Sequence, residues 1–93
     1  MVDSDTLIRR LDGLVEAEVD GEILALHVEQ GTCYAFNLTA ARVWTSLREP
    51  RRLREIRDEL LAEYEVDAET CERQLAEVID LLVAQGLVTT AAT

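Results

Sequence analysis

Lysine is absent from this chain of 93 residues: all nine basic residues are arginine, against 19 acidic ones, for a formal net charge of −10. That balance repels phosphate backbones and anionic lipid surfaces at long range, so nucleic acid and membranes are not expected partners, and basic or neutral molecules are favoured. Histidine occurs once, as His27, and cysteine twice, as Cys33 and Cys71, far apart and with no neighbouring ligand. A zinc set cannot be assembled from these residues, and in a reducing compartment both cysteines read as small apolar fillers. No apolar run reaches the roughly 18 residues that a membrane-spanning helix takes. The segment from Met1 to Asp12 carries acids and arginines in place of the apolar stretch of a secretion signal, so a cytoplasmic location is expected.

Catalytic chemistry is equally hard to find. His27 falls in a strand-like run, Ser4 and Ser46 are not in a strained elbow, and no glycine-rich loop opens a helix to cradle phosphate. Neighbouring acids such as Asp58 and Glu59 point to different parts of a helix surface. No catalytic residue, metal site or cofactor is expected, and the chain does not read as an enzyme. Arginine clusters at Arg48, Arg51, Arg52, Arg54 and Arg57, but Glu49, Glu55, Asp58 and Glu59 are interleaved, which is the composition of a solvated, salt-bridged helix face.

What is present is enough apolar content, 48% of residues, for one small domain over residues 1–93 with a core between about 15 and 88. Val15, Ala17 and Val19 alternate with Glu16, Glu18 and Asp20 in the pattern of a half-buried strand, and Asp20-Gly21 is a strong hairpin signal. A second strand follows over Ile23 to Glu29, with Leu24, Leu26 and Val28 as its inward set, and a third over Thr32 to Asn37. Two short turns imply an antiparallel meander whose third strand is an edge.

Helical spacing then takes over. Ala40, Val43, Trp44 and Leu47 form a first helix stopped at Glu49-Pro50; Leu53, Ile56, Leu60, Leu61 and Tyr64 form a second. Asp67 can cap a third, with Ala68, Cys71, Leu75, Val78, Ile79, Leu82 and Val83 facing inward until Gly86. Leu87 and Val88 fold back as an apolar clip, and the segment before Leu7 and the tail from Thr89 to Thr93 read as frayed. The expected class is α+β: a three-stranded antiparallel sheet followed by three helices, winged-helix-like.

The most specific stretch runs from Gly31 to Trp44, where an apolar strand passes through a polar corner into an amphipathic helix, with Asn37 or Thr39 available to cap it. The run Tyr34-Ala35-Phe36-Asn37-Leu38-Thr39-Ala40 leading to Trp44 resembles the signature of PqqD-like proteins, the leader-peptide recognition domains of ribosomally made, modified peptides. The resemblance spans Val15 to Val88 and includes the ending Gln85-Gly86-Leu87-Val88.

An unpaired strand edge offers N–H and C=O groups to an extended peptide, and pockets beside it select alternate side chains. The resemblance implies this use: a precursor's leader adds to the third strand, at Thr32, Cys33, Tyr34, Ala35 and Phe36, and rests against the third helix, at Cys71, Leu75, Val78, Ile79 and Leu82. Phe36 and Trp44 are expected to point inward, whereas Tyr34 suits either side. The domain also resembles the recognition half of a split lasso-peptide processing protease, whose partners are the leader and a separate leader protease or other modifying enzyme.

Two alternatives remain open at this point. One is a PqqD-type peptide chaperone in pyrroloquinoline quinone synthesis. The other is a winged-helix DNA-binding regulator, disfavoured because its third helix carries Glu69, Glu72, Glu77 and Asp80 against Arg73. An edge strand can also pair with its own copy in a dimer.

Overall fold

The computed structural model describes residues 2–91. Its elements run β1 (Leu7–Arg10), β2 (Leu14–Val19), β3 (Glu22–His27), β4 (Thr32–Ala35), α1 (Leu38–Ser46), β5 (Arg51–Arg52), α2 (Leu53–Glu63), α3 (Ala68–Ala84) and β6 (Val88–Ala91). The α+β, winged-helix-like expectation holds: an antiparallel meander in the order β2-β3-β4 precedes the three helices. The β2–β3 turn has Asp20 at φ +52° and Gly21 at φ +82°, the paired positive values of a type I′ turn, which matches the twist of the strands it joins.

A second sheet, ordered β5-β1-β6, was not anticipated. It pairs Leu7 with Ala91 and Ile8 with Thr90, so Thr89 to Ala91 are strand and not a frayed tail; Ala92 and Thr93 lie outside the described residues. The stretch from Asp3 to Thr6 is held in place as well, while Met1 lies outside the described residues. Asp3 and Thr6 bond to each other through backbone and side chain, and the carbonyls of Ser4 and Thr6 accept from Arg54 and Leu53 at the start of α2. Local pattern cannot reveal such a sheet, because each of its short strands finds its partner at a distant part of the sequence.

Between the sheets and helices lies one core. Ile8, Leu53, Ile56, Ile79 and Leu87 are fully buried, with Val43, Trp44, Leu47, Leu75, Leu82 and Val88 almost so. Phe36 tilts against Trp44 with ring centroids 5.1 Å apart, a favourable aromatic geometry that ties the corner to α1. Trp44 donates its indole N–H to Glu16 Oε1 at 2.7 Å, and the Arg10 guanidinium lies 4.0 Å over its ring while bonding to its carbonyl oxygen.

Asn37 caps α1 by accepting from the Ala40 N–H at 2.8 Å, and Asp67 caps α3 by accepting from the Thr70 N–H at 2.8 Å. The first helix ends at Ser46, short of Pro50, and Arg51–Arg52 pair with β1 before α2 begins at Leu53. Arginines of this region are held by Glu59, Asp58, Glu72 and Asp5, as a salt-bridged face requires.

The meander faces the core with the opposite side from the one expected. Ala25 is fully buried and Ile23 packs on the core, whereas Leu26 and Val28 are exposed, as are Val15 and Val19 on β2. Ile23-Leu24-Ala25-Leu26 is apolar at both parities, so alternation there does not choose a face. The corner chooses it: Phe36 must enter beneath Trp44, and the β3–β4 register then carries Tyr34 and Ala25 inward with it. On α3, Ala68 and Val83 are exposed too, and the inward stripe is Cys71, Leu75, Ile79 and Leu82, with Val78 at its border.

Candidate functional site

Among the described residues β4 is an edge: it pairs with β3 on one side and no strand lies beyond it. The Phe36 N–H donates to the Ile23 carbonyl at 3.0 Å, which fixes the parity of the whole strand. Thr32 and Tyr34 therefore turn their backbone groups toward β3, opposite His27 and Ala25, and Cys33 and Ala35 turn theirs outward. Their side chains are small and leave that edge open. The other edge of the meander, β2, carries Glu16 and Glu18, charges of the kind that discourage strand pairing.

A cavity of about 360 Å³ lies where α1, α2 and α3 meet. Leu38, Val43, Leu60, Tyr64, Val66, Cys71, Leu75 and Val78 form its apolar wall, and Thr39, Arg42 and Gln74 add polar groups. This is the size and lining of a site for one or two side chains. Arg42 bridges its rim, donating through Nε to Glu63 at 2.7 Å and through a terminal nitrogen to Ser46 Oγ at 2.6 Å. The bond to Glu63 raises the Arg42 pKa above its ordinary value and keeps α1 tied to the end of α2. Burial pushes the Cys71 thiol up, which favours its protonated form among the groups that line the cavity.

The residues singled out from sequence divide into three groups. Cys71, Leu75 and Val78 meet in the cavity. Ile79 and Leu82 lie in the core, 0% and 1% exposed. Thr32, Cys33 and Ala35 are exposed on β4, Tyr34 is half-buried against the core and Phe36 is buried; none of these five lines the cavity, which opens from Leu38, just beyond the strand. Sequence reasoning missed Leu38, which is 89% exposed, although it left a signal: a leucine in the first turn of α1, off the stripe of Ala40, Val43, Trp44 and Leu47. Among the described residues no cluster of His, Cys, Asp or Glu could hold a metal ion, and no helix is long and apolar enough to cross a membrane.

A strand edge and an apolar cavity, joined by a capped strand-to-helix corner, are the two surfaces that the fold offers to a ligand. The family model for coenzyme PQQ synthesis protein D (PqqD) matches residues 22–88, and the chain belongs to that family. A solved structure described as TbiB1 in complex with the TbiA(beta) leader peptide is 34% identical, covers 91% of this chain and 99% of its own, and superposes with a TM-score of 0.81. Another, described as lasso peptide synthetase B1 complexed with the leader peptide, is 24% identical, covers 88% and 96%, and shares the fold with a TM-score of 0.78. No match was found among curated proteins.

Proposed function

We infer that this protein is a non-catalytic recognition element that captures the leader of a ribosomally made precursor peptide and delivers it to a separate leader protease in lasso-peptide biosynthesis. The observation that carries this reading is the open β4 edge at Cys33 and Ala35, in a chain that is 34% identical to TbiB1 over 91% of its length. The leader adds as a fourth strand beside β4, which supplies affinity through backbone pairing. One of its apolar side chains enters the cavity beside Leu38 and Cys71, which supplies preference. The net charge of −10 favours a leader carrying lysine or arginine.

Titration of a fluorescent leader peptide against the purified protein, with the core peptide of the same precursor as control, tests the reading. Leader-only binding in the micromolar to nanomolar range is expected, about −8 to −12 kcal/mol. Equal affinity for leader and core overturns it. The description of the matching family model favours a second destination, a quinone-cofactor pathway in which the captured peptide goes to a modifying enzyme that is not a protease. Titration of this protein with the precursor of each pathway separates the two.

A further inference from the structure

The meander has a face that neither the core nor the β4 edge uses. Val15, Val19, Leu26 and Val28 are between 39% and 56% exposed, and the register places Val15 opposite Leu26 and Leu26 opposite Cys33. Ala17, Leu24 and Ala35 fall on the same side, so the exposed residues make one continuous apolar surface across all three strands. Scattered apolar residues on a protein surface are ordinary, but a contiguous sheet face of them marks an interaction site.

Charge narrows what can cover it. From Asp12 to Thr39 the chain holds Asp12, Glu16, Glu18, Asp20, Glu22 and Glu29 and no arginine. Exposed Asp20 and Glu22 stand at the hairpin end of the face and Glu29 stands at the other. A second copy would bring the same acids against these, and like-charge juxtaposition opposes that pairing. An apolar patch rimmed by lysine or arginine is the complement.

Position identifies the partner further. Cys33 and Ala35 expose backbone groups along the edge while their side chains lie on the apolar face, so a peptide strand added to β4 extends this face by one strand. A protein seated there touches the domain and the captured peptide together. We propose that the outer face of the β2-β3-β4 sheet, centred on Val15, Val19, Leu26 and Val28, docks the leader-removing enzyme through an apolar patch with a basic rim. The proposal rests on the leader-recognition reading, and places the enzyme on the face opposite the helices.

The test uses the full chain carrying Val15→Thr, Val19→Thr and Val28→Thr together, changes that keep a β-branched side chain at two positions of β2 and at the turn residue that follows β3. Purified leader protease from the same biosynthetic locus is titrated against wild type and variant, and fluorescent leader is titrated in parallel. The expected result is protease binding weakened tenfold or more, leader affinity within twofold of wild type, and a monomeric wild type by light scattering. A second variant, Glu22→Gln with Glu29→Gln, should weaken protease binding at low salt and lose that deficit at about 0.5 M salt, where charges are screened within a few ångströms.

Unchanged protease binding in both variants overturns the proposal. So does a wild-type dimer that the valine changes dissociate, which makes a second copy the occupant, or a natively folded valine variant that has lost the leader, which makes the face part of the leader site. Failure of the wild type to bind leader overturns the functional reading instead, and is visible in the leader titration alone.

Discussion

Tyr34 stands opposite Ala25 as a hydrogen-bonded pair of the β3–β4 ladder, so its neighbours Cys33 and Ala35 turn their backbone groups to the edge, where no strand lies among the described residues. Proline removes one N–H at a time and separates the two roles. Thr32→Pro and Tyr34→Pro each delete a ladder bond and should lower the melting temperature by about 5 °C or more, on the scale of 4–8 °C per kcal/mol for a domain of this size. Cys33→Pro and Ala35→Pro should stay folded by circular dichroism while leader affinity falls about tenfold. Wild-type leader binding in both folded edge variants refutes strand addition.

Leu38 is 89% exposed at the mouth of the cavity and contributes little to the core. Leu38→Ser should leave the melting temperature nearly unchanged. Leader affinity should fall about tenfold, the scale expected when the burial of one leucine side chain is lost. A stability loss with intact binding would place Leu38 in the core and not in the site.

Glu16 is the acceptor of the Trp44 indole N–H, and Trp44 is 1% exposed. Glu16→Ala leaves that donor buried without a partner, at a cost of about 1–3 kcal/mol, and should lower the melting temperature accordingly. Glu16→Gln keeps an acceptor oxygen and should recover most of the loss. Thermal denaturation of the two variants in parallel distinguishes the lost hydrogen bond from lost charge, because both remove the charge.

Asp67 accepts from the backbone N–H and the hydroxyl of Thr70, and these bonds hold its carboxyl below the ordinary carboxylate value. A depressed folded pKa means that the cap stabilises the fold above the unfolded pKa and that this contribution disappears as pH falls through the folded one. Asp67→Asn retains a capping oxygen that does not titrate. Melting temperatures of wild type and variant should therefore diverge least below the ordinary carboxylate range, with wild type gaining on the variant as pH rises to neutrality. A difference independent of pH would remove Asp67 ionisation from the stability of α3.

The meander, the corner and the three helices were legible in sequence because their signals are local. Asp20-Gly21 marks its turn, Asn37 its cap, and the apolar spacing of α1, α2 and α3 its helical faces. The side of the sheet that meets the core was not, since Ile23, Leu24, Ala25 and Leu26 are all apolar and only the placement of Phe36 under Trp44 selects between them. Nor was the cavity, whose wall is assembled from residues as distant as Leu38, Leu60 and Cys71, and whose mouth lies past the end of the strand that the sequence singled out.

The pairing of Leu7 with Ala91 has a consequence for the order in which the molecule assembles. The β2-β3-β4 meander closes through neighbours and can form early, whereas β1 must wait for β6, about 80 residues later in the chain. Joining the paired ends by a short linker and opening the chain at Gly13 would turn that last, long-range closure into a hairpin, so such a circular permutant should fold faster than the natural order while keeping the same β4 edge.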